Sequence, residues 1–367
     1  MSFDAAALAN AATAALRAYD PGHDLPSLRR QHGSMLAELG SNENALGPGP
    51  RALAAMHSAL VDAYRYPDPK GAALKRALAA HLDVDASRIA LGNGSHELLM
   101  LLAQCFADAG TSAVYSEYGF AVFAIATAAT GAQAIRVPAF PRTHARRYGH
   151  DLAAIGAAVR ADTRLVFLAN PNNPTGSWFE LGELETLLSR VPTTALVVVD
   201  EAYHEFTDAD GPRSALALAA RHPNLVVTRT FSKAYALAGL RVGYLAADAS
   251  VVGVLERLRE SFNVNGIALA AAEAALADRD HLADVRRWTS AERAWLARQL
   301  AARGYDVLPS QTNFLLVDLG KEAAALEARL FARGVIVRPM GGYGLGHTLR
   351  ISVGRRDENE RLLEALP

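Results

Sequence analysis

The sequence is poor in cysteine and has no excess of either charge, and each shortage excludes a class of protein. Cys105 is the single cysteine among 367 residues, so the chain forms no internal disulfide and no cysteine-based metal site. The 37 basic residues are matched by 38 acidic ones, which leaves no surplus for binding nucleic acid or an anionic membrane. No apolar run reaches the roughly 20 residues of a membrane span. We therefore expect a soluble protein with no resident metal.

The beginning of the chain lacks the features of a secretory signal. It carries Asp4, and Arg17 is its only basic residue before Asp20, so a basic segment followed by an apolar core is missing. The pattern predicts an amphipathic helix and, with the reduced Cys105, a cytoplasmic protein. Cys105 itself lies in an apolar helical run, where a buried inert thiol is expected.

Short β-rich runs alternate with helical runs between residues 86 and 247. The predicted strands are "RIALGN" (88–93), "SAVYS" (112–116), "QAIRVPA" (133–139), "RLVFLAN" (164–170), "TALVVVD" (194–200), "NLVVTRT" (224–230) and "VGYLAA" (242–247). Nearly continuous apolar strands separated by helices predict an α/β fold with a mostly parallel sheet that helices cover on both faces. The runs 194–200 and 224–230 show no polar alternation and should be central strands.

The pattern changes after about residue 250. Long helical segments at 249–277 and 281–303 precede a helix at 322–333 and the strands "VIVRPM" and "TLRISVG". We predict three parts: an N-terminal arm with part of a small domain (1–50), a large α/β domain (51–250), and an interdomain helix with a smaller α+β domain (251–367). The first 50 residues show no sheet pattern and should pack on the small domain.

Ligands of such sheets bind beyond the carboxyl ends of the strands. The residues expected there are Asn93 to Ser95, Tyr115 to Tyr118, Asn170 to Gly176, Asp200 to Tyr203, and Thr230 to Lys233. Ser95 opens a helix and either helps to bind an anion or only caps that helix. Asp200 ends a buried strand and either meets a cationic ligand or caps a turn. Asn173 lies in a rigid turn, from which it could donate to a ligand oxygen.

Lys233 lies in "RTFSKAYALAGLRVGYL" (229–245), among small and apolar residues. Removal from water should lower the pKa of this amine and make it a nucleophile toward carbonyl groups. The alternative is an ordinary surface lysine between two strands.

Three segments together resemble one family. "NPNNPTG" (170–176), "VVVDEAYHEF" (197–206) and "RTFSKAYALAGLRVGY" (229–244) follow one another as in class I/II aminotransferases of fold type I, which depend on pyridoxal phosphate. The branch most resembled is the histidinol-phosphate aminotransferase family, through "LGSNENALGP" (39–48), "YRYPDP" (64–69), "SEYGFAVF" (116–123), "TNFLLV" (312–317) and "VRPMGGYGLGHTLRI" (337–351).

The resemblance implies a role for each matching residue around the cofactor. Lys233 would form the Schiff base, Asp200 would pair with the ring nitrogen, and Tyr203 would bind the phenolic oxygen. The remaining cofactor-binding residues implied are Asn173 (phenolic oxygen), Tyr118 (ring face), Ser95, His96, Thr230, Ser232 and Arg241 (phosphate), and Tyr66 (phosphate of the neighbouring subunit). The last of these implies a homodimer with a shared active site.

The resemblance also implies substrate-binding residues and a reaction. Arg350 would bind the α-carboxylate, Arg338 the substrate phosphate, Tyr19 would close over the same group, and Asn42 would lie nearby. The reaction implied is L-histidinol phosphate plus 2-oxoglutarate to imidazole-acetol phosphate plus L-glutamate, in histidine biosynthesis. Alternatives are an aromatic amino-acid aminotransferase, a decarboxylase or oxidase that uses the same cofactor, and a non-catalytic binding protein.

Overall fold

The computed structural model describes residues 36–367 continuously and, before them, residues 3, 5, 8–14, 16 and 23–33. The helices in this part of the chain are α1 (Ala11–Ala14), α2 (Leu25–His32), α3 (Pro50–Ala59), α4 (Ala72–Leu82), α5 (Gly94–Phe106), α6 (Ala121–Ala129), α7 (Leu152–Ala157), α8 (Leu181–Leu188), α9 (Ala249–Leu258), α10 (Gly266–Ala277), α11 (Arg279–Ala302), α12 (Ala324–Ala332) and α13 (Arg356–Ala365). The strands are β1 (Ala37–Glu38), β2 (Ile89–Gly92), β3 (Ser112–Ser116), β4 (Gln133–Val137), β5 (Thr163–Ala169), β6 (Leu196–Asp200), β7 (Leu225–Thr230), β8 (Gly243–Ala246), β9 (Asp306–Val307), β10 (Phe314–Asp318), β11 (Val335–Ile336), β12 (Arg338–Met340) and β13 (Leu345–Ser352).

A seven-stranded sheet in the order β2-β8-β7-β6-β5-β3-β4 forms the large sheet. The strands from β7 through β4 pair in parallel, and β8 runs antiparallel to both of its neighbours. All seven predicted strands are present, and β6 and β7 lie inside the sheet as predicted. The α/β fold class with a mostly parallel sheet is therefore confirmed.

Both faces of the large sheet are covered by helices, and residues 196–199 of the central strand β6 are all apolar. Val198 of β6 packs into the cluster that includes α5 and α6, whereas Val197 and Val199 pack into the opposite cluster with α7 and α8. All three valines have no exposed surface. Complete burial of such a side chain stabilises the fold by roughly 1.5–3 kcal/mol. This burial holds the ends of the central strands in fixed positions.

A second, antiparallel sheet in the order β12-β13-β10-β9 forms the small sheet, and α11, α12 and α13 contribute to its core. The short strand β1 pairs in parallel with β11, so the N-terminal region adds a strand to this part of the fold. The expectation of no sheet pattern before residue 50 was wrong on this point. Only two residue pairs, Ala37 with Val335 and Glu38 with Ile336, form this ladder, and a strand that short leaves no periodic pattern.

The long helix predicted over 249–277 is two helices in the structure. Between α9 and α10 the backbone of Phe262 takes a left-handed conformation with φ of 61°. Asn265 then caps α10, because its side chain accepts a hydrogen bond of 2.8 Å from the Ala268 N–H. Such a cap contributes about 1 kcal/mol. Half of the first 20 residues, where a helix was expected, lie outside the described residues, and the described half contains the short helix α1. Within the described part of the chain, no helix has the length and apolarity needed to cross a membrane.

Candidate active site

The ends of β5, β6 and β7 and the start of α5 surround one cavity of about 200 Å³. Nine of the predicted site residues line this cavity: Ser95, His96, Asn173, Asp200, Tyr203, Thr230, Ser232, Lys233 and Arg241. Because parallel strands end at the same edge of a sheet, segments far apart in sequence bring their side chains together there. The structure thus gathers at one place the residues that the sequence marked separately.

Lys233 follows β7, and its amine points toward the chain segment before α3. Its Nζ atom donates hydrogen bonds of 3.2 Å to the carbonyl oxygens of Ser41 and Asn42. Burial lowers the pKa of this amine to about 8, and the positive charge of Arg350 adds to the effect. A lysine with this pKa has an appreciable neutral fraction near physiological pH, which nucleophilic attack requires.

Asp200 ends β6 and is almost completely buried. The hydroxyl of Thr228, its register partner on β7, donates a hydrogen bond of 2.9 Å to Asp200 Oδ1. Burial raises the pKa of Asp200 to about 7, although the Thr228 hydrogen bond opposes that rise. A buried carboxylate is costly without a cationic partner. The site is therefore suited to a ligand that places a protonated nitrogen beside Asp200.

Tyr203 and Asn173 also line the cavity, and both are held by other side chains. Asn42 donates a 3.0 Å hydrogen bond from Nδ2 to the Tyr203 hydroxyl. Arg350, which lies on β13 of the small sheet, donates from Nη1 to Asn173 Oδ1 at 2.6 Å and from Nη2 to the carbonyl of Gly40. The small sheet thus reaches the cavity wall through Arg350.

An anion-binding cradle lies at the start of α5. Arg241 donates hydrogen bonds to Ser232 Oγ at 3.1 Å and to the carbonyl of Asn93 at 3.3 Å. Gly94 adopts φ of 77°, and a Cβ at this position would lie 2.8 Å from Arg241 Nη2. Glycine therefore allows the guanidinium to lie against the helix N-terminus. Free N–H groups, the helix dipole and an arginine are the components of a phosphate site.

His96 lies at the edge of this cradle. Burial lowers the pKa of its imidazole, and the nearby Arg241 lowers it further. The lowered pKa favours the neutral ring, which can donate one hydrogen bond without adding charge. The helix begins one residue earlier than predicted, with Asn93 in the cap position, so the alternative of Ser95 as a simple cap does not hold.

Besides Asn42 and Arg350, three predicted residues in the described part of the chain do not line the cavity. Tyr118 is absent from the cavity lining, and its ring packs edge-on against Tyr148 with centroids 5.6 Å apart. Tyr66 is 84% exposed and stacks on Phe262. Arg338 on β12 pairs in register with Arg350 on the adjacent strand. Tyr19 lies outside the described residues.

Phe120 and Thr228 are among the residues of the site that were missed in the sequence, as are Ala169 and Ala238 of the cavity lining. Phe120 lines the cavity, and only its proximity to Tyr118 in the loop after β3 indicated it. Thr228 reaches Asp200 through strand register, which the sequence does not specify. The described part of the chain contains no cluster of residues able to hold a metal ion.

Comparison with known proteins agrees with this geometry. The model of the family "Aminotransferase class I and II" matches residues 34–366. The histidinol-phosphate aminotransferase 2 of Pseudomonas aeruginosa is 47% identical over 366 residues, which cover 99% of this chain and 98% of that protein. The histidinol-phosphate aminotransferase 1 of Thiobacillus denitrificans is 48% identical over 355 residues, covering 96% of this chain and 91% of that protein.

A solved structure is similar over nearly the whole chain. It is the crystal structure of histidinol-phosphate aminotransferase from Sinorhizobium meliloti in complex with pyridoxal-5'-phosphate, with a TM-score of 0.88 and 36% identity. The match covers 97% of this chain and 96% of that one. The resemblance drawn from the sequence motifs is confirmed, and the chain belongs to the aminotransferase class I and II family.

Proposed function

We propose that this chain is a pyridoxal-phosphate-dependent aminotransferase of histidine biosynthesis. It transfers the amino group between L-histidinol phosphate and 2-oxoglutarate, giving imidazole-acetol phosphate and L-glutamate. The observation that carries the proposal is one cavity that joins a lysine of lowered pKa, a buried aspartate and a phosphate cradle. The names of the relatives, at nearly half identity over almost the full length, support the substrate.

The residues of the cavity fit pyridoxal phosphate. The α5 N-terminus with Ser95, Ser232 and Arg241 suits its phosphate, and Asp200 suits a protonated ring nitrogen. Tyr203 and Asn173 are held where they can bind the phenolic oxygen. When bound, this cofactor supplies an electron sink that weakens the bonds at the substrate Cα. Thr230 extends the cradle, since its hydroxyl donates to Ser232 Oγ at 3.0 Å.

Lys233 carries the chemistry that the chain itself supplies. Its neutral amine would hold the cofactor covalently and, when free, would take the proton from the substrate Cα. The carbonyl groups of Ser41 and Asn42 orient Nζ. Asp200 keeps the ring nitrogen protonated, because a buried carboxylate gains most from a cation beside it.

Substrate recognition falls to the small sheet and the N-terminal arm. Arg350 presents a planar guanidinium that suits the carboxylate of glutamate or 2-oxoglutarate, and Arg338 on the adjacent strand suits the phosphate of histidinol phosphate. Asn42, bonded to the Tyr203 hydroxyl, lies beside the same space. Tyr19 completes this set in the proposal.

The enzyme is proposed to act as a homodimer in the cytoplasm. Residues 60–66 expose Leu60 by 53%, Val61 by 75%, Tyr64 by 77% and Tyr66 by 84%. A surface this apolar is typical of a protein interface. In the dimer Tyr66 would reach the phosphate cradle of the partner subunit. Within one subunit, we propose that the chain divides at residues 50 and 250, which separates the cofactor domain from the substrate domain.

The test is a stopped-flow visible spectrum of the cofactor-loaded protein without a keto acid. The protein is mixed separately with L-histidinol phosphate and L-phenylalanine at matched concentrations. We expect the cofactor band to disappear much faster with histidinol phosphate. Faster conversion with phenylalanine would assign an aromatic amino-acid aminotransferase. Release of carbon dioxide or peroxide would assign a decarboxylase or an oxidase.

A further inference from the structure

The loop between β4 and α7 carries a buried tyrosine in an unusual backbone conformation. Tyr148 is 3% exposed, and its φ of 62° lies in the left-handed region. The loop is closed on itself, because Tyr148 N–H donates to the Phe140 carbonyl at 2.8 Å and Phe140 N–H donates to the Gly149 carbonyl at 3.0 Å. A bulky residue in this conformation costs of order 1 kcal/mol or more. The surrounding contacts therefore hold Tyr148 in place.

The Tyr148 hydroxyl is bonded to the small sheet. It donates to Asp318 Oδ2 at 3.3 Å, and it lies 3.0 Å from His347 Nε2, from which it can accept. Asp318 ends β10 and has no exposed side-chain surface, and Arg142 of the same loop binds both of its oxygens at 2.9 Å. His347 lies on β13, the strand that also carries Arg350. One hydroxyl thus contacts both inner strands of the small sheet.

The Tyr148 ring packs among small-sheet residues and also contacts Tyr118, which follows β3 of the large sheet. It meets the Tyr118 ring edge-on, with an interplanar angle of 88°. Edge-to-face pairs of this kind contribute about 0.5–1.5 kcal/mol beyond the area that they bury. The backbone of Tyr118 is fixed separately, because its carbonyl accepts a 2.8 Å hydrogen bond from the buried Asn172. The backbone of Tyr118 is therefore held by Asn172, and its ring contacts Tyr148.

We propose that Tyr148 is a positioning residue, which sets the angle of the Tyr118 ring and ties it to the strand that carries Arg350. The inference rests on the proposed function and on the role that the sequence resemblance implies for Tyr118, whose ring would lie against the face of the cofactor. Tyr148 holds two parts of the proposed site in one arrangement. They are β13, which carries Arg350, and the Tyr118 ring. Neither Tyr148 nor His347 touches the reacting atoms.

The test removes the Tyr148 hydroxyl and keeps its aromatic ring. In the holoenzyme, Tyr148→Phe should change the visible circular dichroism of the bound cofactor and lower kcat about tenfold, with KM changed less than about twofold, as loss of a hydrogen bond to a charged group allows. Tyr305→Phe, which removes a tyrosine hydroxyl elsewhere in the small-sheet region, is the matched control and should leave both quantities unchanged. A purely structural role would lower Tm without altering the cofactor dichroism.

A second variant and a double mutant make the test independent of folding. His347→Ala removes the partner of the hydroxyl and should reproduce the spectral change of Tyr148→Phe. In a Tyr118→Ala background, Tyr148→Phe should cause no further change in dichroism, because the ring that it positions is gone. Wild-type dichroism and kcat in Tyr148→Phe, or full additivity with Tyr118→Ala, would overturn the proposal.

Failure of the proposed function gives a different result. It would appear in the wild-type protein, as an absence of bound cofactor or of reaction with histidinol phosphate. The dichroism of Tyr148→Phe needs only the bound cofactor, so it tests the positioning role whichever amine is the substrate.

Discussion

The residues on the large-sheet side of the cavity stand at the ends of buried strands, whereas those on the small-sheet side reach it from a separate sheet. Asp200 and Lys233 are placed by β6 and β7, whose valines are fully buried. Arg350 reaches Asn173 from β13, across the boundary between the two sheets. The comparison indicates that the residues of the proposed chemistry stand at the ends of buried strands, whereas the proposed substrate contacts come from a second sheet.

The largest effect should come from Lys233→Ala. Without the amine, the proposed base that takes the proton from Cα is missing, so kcat should fall at least about a thousandfold. Steady-state transamination of L-histidinol phosphate measures this. Lys321→Ala, which changes an exposed lysine, is the control. If Lys233→Ala kept a tenth of wild-type activity, Lys233 would not be the catalytic base, and the chemistry could not be assigned to the large-sheet side.

The small-sheet side is tested by Arg350→Lys. A lysine keeps the charge but loses the planar pair of donors, so we expect kcat/KM for both glutamate and histidinol phosphate to fall about 10–100-fold. The rate at which sodium borohydride bleaches the resting cofactor band should remain that of the wild type. A change in that rate would show that Arg350 acts on the cofactor side as well.

The phosphate cradle is tested by Gly94→Ala. The new Cβ would lie 2.8 Å from Arg241 Nη2, at a residue with φ of 77°, so the guanidinium must move. We expect the dissociation constant of pyridoxal phosphate to rise about tenfold, as measured by fluorescence titration of the cofactor-free protein. Gly182→Ala, where a Cβ meets nothing within 4 Å, is the matched control. Equal affinities of the two variants for pyridoxal phosphate would contradict the proposal that this cradle binds its phosphate.

The smallest effect concerns the pH dependence of stability. The pKa of Asp200 is raised to about 7 in the folded protein, against an ordinary value of 3.8. Between these values the folded state binds the extra proton, so the free energy of unfolding falls as pH rises from about 4 to 7. In calorimetry of the cofactor-free proteins, Tm of the wild type should fall by a few degrees relative to Asp200→Asn over this range.

Two outcomes bear on that last prediction. If Tm of the wild type and of Asp200→Asn changed in parallel over this pH range, the pKa of Asp200 would not be raised in the cofactor-free protein. In the cofactor-loaded wild type, the fall in Tm should become smaller, because the ring nitrogen stabilises the charged carboxylate.

The large-sheet side was predictable because its signals are local. A strand buried on both faces is mostly apolar, so the sequence showed that β6 ends at Asp200 and that β7 ends at Thr230. The motifs at those two strand ends carry the residues of the proposed chemistry. The helix break at Phe262 was missed, because alanine-rich and leucine-rich segments on both sides suggest one continuous helix. The short pairing of Ala37 with Val335 joins segments that are distant in sequence, and no local pattern marks it.

Contacts made through register or between sheets could not be predicted. Thr228 bonds to Asp200 only because β6 and β7 pair in one particular register. The contacts of Tyr148 with Asp318, His347 and Tyr118 come from three separate segments. Motifs identify residues that touch the cofactor, whereas residues that hold those in place are identified only by the fold.

The most direct test of the account is to locate the residue that holds the cofactor. The holoenzyme is reduced with borohydride, which makes the cofactor link permanent, then digested and analysed by peptide mass spectrometry. The account predicts a phosphopyridoxyl group on Lys233. The same group on Lys70, Lys75 or Lys321, the other lysines of the chain, or on none of them, would contradict it.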